Sequence, residues 1–173
     1  MKEYDFRLIF KLNHKKENLE TDLDRLYEAG CDDAIVGVGK EGYLALDFIR
    51  ESNSGHEAIA SAVENVNQVF KEAKLIQVSP DLVGVKDLAS IFKCSRQNIQ
   101  RNAIKSDFPN PVYNGAQAIW HLATVLNWFV LNNYQVDPER LEIAELAMSI
   151  NAAIAVQTAK PKLLDRAKIL AAI

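Results

Sequence analysis

Several residue types that mark specialised proteins are scarce in this chain. The two cysteines, Cys31 and Cys94, lie far apart in the sequence, so nothing suggests a disulfide framework and a cytoplasmic location is expected. The three histidines, His14, His56 and His121, are scattered, and none has a Cys or His neighbour at metal-ligand spacing. We therefore expect no metal site.

Long apolar runs are also absent. The most apolar stretch, residues 143–156, is interrupted by Glu145, Ser149 and Asn151 and is too short to span a bilayer. The first residues do not combine a basic segment with an apolar run, so no signal peptide is expected. What remains is ordinary globular composition, with 49% hydrophobic and 25% charged residues among 173. Such a chain can bury a real core as one large domain or two small ones.

Charge is unevenly distributed along the chain. Residues 1–79 carry a net charge of −5, residues 80–134 carry +2 and residues 135–173 carry 0. The net charge of −3 for the whole chain argues mildly against non-specific binding to nucleic acid. The middle part is where a nucleic-acid contact is expected, because it alone has a positive balance.

The first 79 residues are patterned as a small unit of strands and helices. Apolar residues alternate along the first strand and recur at helical spacing after it. The first expected elements are a strand at 4–12 and a helix that stops at Gly30, with an apolar face of Leu19, Leu23, Leu26 and Tyr27. Strands at 34–38 and 43–49, a helix capped by Ser54 and a strand at 75–78 follow. This is the element order of the ferredoxin-like fold. We therefore predict an α+β protein with a ferredoxin-like domain over residues 1–79.

Two motifs in this unit have ordinary explanations. Residues 37–42 fit the pattern G-x-G-x-x-G, but a dinucleotide site needs a helix directly after it, and a strand is expected here. We interpret the segment as a glycine-rich hairpin, and Asp32 and Asp33 as solvated loop acids. No Ser/His/Asp or Cys/His set can be argued either. We therefore expect no enzyme activity and no cofactor.

After a linker at residues 79–81, the segment 82–106 carries the most informative pattern. Apolar residues at 85, 88, 89 and 92 predict a short helix, and Lys93-Cys94 predicts a turn with Cys94 as a small buried residue. Ser95 is expected to cap a second helix, which Ile99 and Ala103 turn back onto the first.

The outer face of that second helix is polar, and residues 95–106 include no acid. Arg can bond guanine bidentately, Gln or Asn can bond adenine, and free N–H groups at a helix N-terminus attract phosphate. We predict that Ser95 lies at this phosphate-facing end. The predicted base readers are Arg96, Gln97, Gln100 and Arg101, and the predicted phosphate contacts are Asn98 and Lys105.

The run VxxLAxxFxCSRQxI over residues 85–99 resembles the helix-turn-helix of MerR-type and excisionase-type (AlpA-like) DNA-binding proteins. In that family a proline segment, a small wing and a third helix carrying a Trp follow, and 107–112, 113–118 and 120–128 correspond to them in order. The resemblance covers residues 82–130 and implies a winged helix-turn-helix on double-stranded DNA. The whole arrangement also resembles uncharacterised bacterial proteins with an N-terminal α/β domain, which implies no activity for that domain.

Three further expectations concern this segment. In the wing, Asn114 and Gln117 are candidate DNA contacts, although Asn-Gly is also a turn signal by itself. Lys93 departs from the family, whose turns often have Gly, and a left-handed conformation is uncommon for Lys. Trp120 and Trp128 are expected in the core rather than as stacking platforms for bases.

Residues 135–173 predict a helical extension. Asp137-Pro138 is a helix start, with Asp as N-cap and Pro at the first helical position. The helix at 139–158 is apolar nearly all round, so it must pack into a core or against a second copy of itself. Pro161 separates it from a short final helix.

These observations lead to one hypothesis and two alternatives. The hypothesis is a sequence-specific binder of double-stranded DNA, a transcriptional regulator that uses domain 80–134. We expect a homodimer, because one such module buries only about 600–1,000 Å² on DNA. Either the helix at 139–158, which we favour, or an N-terminal sheet could form the dimer contact. The first alternative is an excisionase-like or antitoxin-like DNA-binding partner protein. The second is a sensor whose N-terminal domain binds a small molecule or a protein, while the helix-turn-helix is structural. No membrane contact is expected.

Overall fold

A computed structural model describes residues 1–13, 19–37 and 41–171. In these residues the chain is an α+β protein with antiparallel sheets. The strands are β1 (Lys2–Lys11), β2 (Ala34–Gly37), β3 (Tyr43–Ser52), β4 (Lys74–Ser79), β5 (Leu82–Val83), β6 (Tyr113–Asn114) and β7 (Ala118–His121). The helices are α1 (Leu19–Glu28), α2 (Gly55–Val69), α3 (Val85–Ile91), α4 (Arg96–Ala103), α5 (Leu122–Leu131), α6 (Pro138–Thr158) and α7 (Pro161–Ala171). His14 and residues 38–40 of the predicted hairpin lie outside the described residues.

The larger sheet has the strand order β2-β3-β1-β4, and each neighbouring pair is antiparallel. The alternation in β1 decides which face is buried, since Tyr4, Phe6, Leu8 and Phe10 are at most 1% exposed. Phe48 on β3 stacks on Phe6, with ring centroids 5.2 Å apart. A shift of one residue would turn this face to water, so the apolar pattern fixes the register.

The helices α1 and α2 contribute to the core on this inner face. Ser54 caps α2 as predicted, because its side-chain oxygen accepts from the Glu57 N–H at 3.2 Å. Gly30 follows α1 with a φ of +94°, which suits a glycine helix stop. Tyr27, however, was predicted on the apolar face and is 67% exposed, so that prediction is wrong. The buried stripe of α1 passes through Leu26, and Tyr27 lies about 100° further round the helix.

Asp33 was predicted to be a solvated loop acid, and this is wrong. Its carboxylate accepts two hydrogen bonds from the buried Arg50 guanidinium, at 2.7 and 2.8 Å. The other guanidinium bonds go to Ser61 and Asn65 on α2 and to the Gly30 carbonyl. Arg50 therefore ties β3 to the end of α1 and to the middle of α2, and the buried charge is paired.

The long helix α6 belongs to both hydrophobic cores. Its start matches the prediction, since the Asp137 carboxylate accepts from the Glu139 N–H at 3.0 Å. Ile143 and Ala147 pack into the core of the larger sheet, whereas Ala144 packs into the core around α3, α4 and α5. The face of α6 that holds Ile143, Ala144 and Ala147 is therefore covered by other parts of the same chain.

A close approach between α2 and α6 depends on a glycine. A Cβ atom at Gly55 would lie 3.1 Å from Leu146 and 3.2 Å from Ile143. The Gly55 N–H donates to Glu142 at 2.7 Å, and the other Glu142 oxygen accepts from the Tyr4 hydroxyl at 3.0 Å. Glu142 thus joins α6 to both α2 and β1.

The predicted linker at residues 79–81 connects the two parts and is fixed by a buried carboxylate. Asp81 is 5% exposed, and its carboxylate lies 2.6 Å from His121 Nδ1 and accepts from Asn151 at 2.8 Å. Asn151 also bonds both the N–H and the C=O of Val78, so α6 pairs with backbone of β4. We call Asp81, His121 and Asn151 the polar joint, because together they connect the larger sheet, the smaller sheet and α6.

Candidate nucleic-acid interface

The helices α3 and α4 are separated by residues 92–95 and pack on each other through small and branched apolar side chains. Leu88, Ala89 and Ile99 are 0%, 8% and 1% exposed, so these positions face inward as predicted. Ala89 puts only a methyl group at the contact, which lets the backbones approach. The Ser95 hydroxyl accepts from the Asn98 N–H at 3.2 Å, which confirms the predicted N-cap of α4.

The turn between the two helices is left-handed at Lys93, where φ is +49°. The Cys94 N–H donates to the Ala89 carbonyl at 2.9 Å, which closes the end of α3. The turn therefore keeps the geometry that glycine usually supplies, at a cost of roughly 1–2 kcal/mol for a residue with a Cβ. Cys94, predicted as buried, is only half-buried.

The outward surface of α4 is polar and positively charged. Arg96, Gln97, Gln100 and Arg101 are all exposed, at spacings that place them on one side of the helix. Within the described part of the chain, no hydrogen bond or ion pair engages the side chains of Arg96, Gln97 or Gln100. These three side chains are therefore available to an external partner.

Three other predicted contacts have intramolecular partners. Arg101 donates to the Asn98 side-chain oxygen at 3.0 Å, one helical turn away. The Lys105 ammonium lies 5.1 Å from the centroid of the Trp128 ring, within cation–π range. Arg101 and Lys105 are thus partly ordered before any ligand arrives, which lowers the side-chain entropy lost on binding.

The predicted wing is a short hairpin of β6 and β7. Tyr113 pairs with Ile119, and Asn114 pairs with Ala118. Asn114 and Gln117 are both exposed, while residues 106–134 contain no Lys or Arg. Contacts from this hairpin to a nucleic acid would therefore be neutral hydrogen bonds.

The third helix begins later than predicted, because Trp120 belongs to a strand. Trp120 pairs with Val83 of β5, and α5 starts only at Leu122. Backbone pairing with β5 overrides the helical pattern at these positions, so the predicted helix from 120 is wrong there. The expectation that both tryptophans are core residues is confirmed, with Trp120 4% and Trp128 5% exposed.

Both indoles also hold the proline segment in place. Trp120 Nε1 donates to the Pro109 carbonyl, and Trp128 Nε1 donates to the Asp107 carboxylate, each at 2.9 Å. Phe108 packs edge-on against both rings. The chain that leaves α4 is therefore anchored on an aromatic cluster at residues 107–109.

Two residues of the candidate interface, one polar and one aromatic, were not predicted from the sequence. Asn102 is 6% exposed and is the inward-turned polar residue of α4, a fully described helix. Its position three residues after Ile99 was the available signal. Tyr113 is 62% exposed in the wing, and its ring covers Gly115 so closely that a Cβ there would lie 2.2 Å from the hydroxyl. The wing therefore presents an exposed aromatic ring beside Asn114.

The described residues offer few groups for metal binding, nucleophilic catalysis or dinucleotide binding. No cluster of three or more His, Cys, Asp or Glu side chains among them could hold a metal ion. Burial raises the pKa of the Cys31 thiol to about 11, so this group is protonated at neutral pH and is a poor nucleophile. The strand β3 follows residues 37–42 where a dinucleotide site would need a helix. Within the described ranges, no helix is long and apolar enough to cross a membrane.

Comparison with known proteins found no match for this chain among family models, curated proteins or solved structures. The chemistry of the α4 surface is therefore the main indication of what this protein binds.

Proposed function

We propose that this protein binds double-stranded DNA sequence-specifically, as a transcriptional regulator, with α4 in the major groove. The observation that carries the proposal is the α4 surface, where two arginines and two glutamines are exposed and three of the four side chains have no partner in the described chain. Arg and Gln have the donor and acceptor geometry that major-groove base edges require. Residues 95–106 also carry three cations and no acid, which suits contact with phosphate.

The proposal includes the arrangement of the two parts. We propose that residues 80–134 form a winged helix-turn-helix, supported by the capped α4, the left-handed turn at Lys93 and the β6–β7 hairpin. For residues 1–79 we propose a ferredoxin-like domain, supported by the strand order β2-β3-β1-β4 and by the helices α1 and α2 that connect β1 to β2 and β3 to β4. The MerR-type and AlpA-like resemblance stays part of this proposal.

A second copy of the chain is the proposed protein partner. The buried face of α6 is already covered within the chain, so the contact predicted for 139–158 would use its exposed last turns together with α7. Apolar side chains exposed there are Val156, Leu163, Ile169 and Leu170. A dimer would bind two half-sites, and a protein that stays monomeric on DNA at tens of micromolar would contradict it.

The test is selection from a random duplex library at two salt concentrations. The wild type is compared with Arg96→Ala/Arg101→Ala and with Lys71→Ala/Lys74→Ala, which removes two exposed positive charges from the acidic part of the chain. We expect the wild type and the lysine variant to enrich one motif. The arginine variant should bind that motif at least about thirtyfold more weakly, because two bidentate contacts are worth about 2 kcal/mol or more.

Single variants separate base reading from phosphate contact. Gln97→Ala should relax the preference at one base pair, whereas Lys105→Ala should weaken all sequences alike and reduce the salt slope by about 1. If the wild type enriches nothing at low salt, or if the arginine variant enriches the same motif equally well, the proposal is wrong. Strong bending of the enriched duplex would favour the excisionase-like alternative instead.

A further inference from the structure

A cleft opens where β4 stops pairing with β1. The last pair in this ladder is Arg7 with Ser79, so residues 2–6 of β1 have no strand beside them on that side. The space has a volume of about 340 Å³, within the range of small-molecule sites. We call it the interunit cleft, and the residues that define it are Asp5, Arg7, Asp47, Ser79, Ile91 and Arg140.

Two of the four charges in the interunit cleft neutralise each other. Arg7 bonds the Asp47 carboxylate through two nitrogens, with Nη2 at 2.7 Å from Oδ2. The exposed Asp5 carboxylate and the half-buried Arg140 guanidinium carry the other two charges. Within residues 1–13, 19–37 and 41–171, neither has a hydrogen bond or an ion pair through its side chain.

An unpaired carboxylate and an unpaired guanidinium in one cleft restrict what can bind there. A simple anion would pair with Arg140 and leave Asp5 unpaired, and a simple cation would pair with Asp5 and leave Arg140 unpaired. A molecule that carries both charges satisfies both side chains. Charge-assisted hydrogen bonds are roughly twice as strong as hydrogen bonds between neutral groups.

We propose that the interunit cleft binds a small zwitterion of the α-amino acid class. Its carboxylate binds Arg140, its ammonium group binds Asp5, and its apolar part packs on Ile91 and Pro80. The volume of the cleft is large enough for a single amino acid.

The cleft is placed to connect ligand binding with the DNA-binding part. Ile91 is the last residue of α3, whereas Asp5 belongs to β1 and Arg140 to α6. A ligand in the cleft therefore contacts β1 of the first part and α3 of the DNA-binding part at once. If the proposed function holds, we expect the ligand to change the affinity for DNA. The reason is that a ligand in contact with α3 binds one position of this helix more tightly than another, and so shifts the population between them.

The test uses the full chain without DNA, so that its result is independent of the proposed function. Each of the twenty L-amino acids is screened at millimolar concentration by thermal shift, and hits are titrated by calorimetry. We expect at least one to bind, and its amide and N-acetyl derivatives to bind about tenfold more weakly or worse, since each lacks one charge.

Variants locate the site. Arg140→Gln and Asp5→Asn should each weaken binding about tenfold or more. Their matched controls are Arg25→Gln on α1 and Glu3→Gln, an exposed acid on the same strand as Asp5, and both should bind like the wild type. The proposal is overturned if no amino acid binds, if the derivatives bind equally well, or if Arg140→Gln and Asp5→Asn have no effect while circular dichroism shows them folded.

Discussion

Arg50 shows how a single residue can organise the sheet. It occupies an inward position of β3, where the pattern of neighbouring residues calls for an apolar side chain, and it is 7% exposed. Its guanidinium has a carboxylate, a hydroxyl, an amide and a backbone carbonyl as acceptors. A buried charge is tolerated when its donors are satisfied in this way.

Replacing Arg50 with Ala should lower the free energy of unfolding by about 3 kcal/mol, because it leaves Asp33 without its counter-charge. The loss falls at the lower end of the range for buried pairs, since the Asp33 side chain is 28% exposed. Urea unfolding measures it. The control is Arg7→Ala, whose pair with Asp47 is 51% and 40% exposed and should be worth less than about 1 kcal/mol. Equal losses in the two variants would contradict this account.

The candidate site was predictable at the residue scale only in part. Exposure of Arg96, Gln97 and Gln100 follows from the apolar spacing of α4, because the opposite face is fixed by Ile99. The Arg101–Asn98 bond and the ring beneath Lys105 were not predictable in the same way. The first depends on rotamers, and the second depends on where α5 lies.

At the scale of elements, the backbone geometry of the turn between α3 and α4 conflicts with the conformational preference of the residue found there. The two helices need a left-handed residue between them, and the sequence supplies Lys93, which has a φ of +49°. The conflict persists because Leu88, Ala89 and Ile99 hold the helices together. Packing of the two helices therefore overrides the preference of one residue.

Lys93→Gly should raise the free energy of unfolding by about 0.5–1 kcal/mol, because relief of the left-handed strain exceeds the extra freedom of glycine in the unfolded chain. Thermal or urea unfolding is the measurement. Lys93→Ala keeps the Cβ and should give no gain. A glycine variant no more stable than the alanine variant would show that the turn is unstrained.

The strand at Trp120 is the clearest case in which local pattern and structure differ. Residues 120–128 have helical spacing, yet the first two pair with β5. Because β5 comes from the segment before α3, this pairing brings together positions almost forty residues apart. Sequence periodicity reports only local preference, so it cannot anticipate such a partner.

For the whole molecule, α6 and the polar joint decide how the two parts are connected. Ala144 and Ala147 of α6 lie in different cores, and Asn151 bonds backbone of β4 as well as Asp81. The linker is thereby fixed at both ends. We expect the two cores to unfold in one cooperative transition, because neither keeps its full set of contacts without α6.

Asn151→Ala should lower the free energy of unfolding by about 2–3 kcal/mol, since three hydrogen bonds are lost at roughly 1 kcal/mol each. Tryptophan fluorescence follows the core that holds Trp120 and Trp128, while far-ultraviolet circular dichroism follows the whole chain. Both midpoints should fall together. The control is Ser149→Ala, which removes one exposed bond within α6 and should cost less than about 0.5 kcal/mol. A shift in one signal alone would mean that the cores unfold separately.

The sequence by itself determined the strands and helices with strong periodicity, the caps at Ser54, Ser95 and Asp137, and the polar face of α4. These are properties of neighbouring residues, set by backbone geometry and by the spacing of apolar side chains. Tertiary structure alone decided the partner of Asp33, the strand at Trp120, the two-core role of α6 and the interunit cleft. Each of these requires contact between segments far apart in the chain, and no local preference encodes which distant segment will fill a given space.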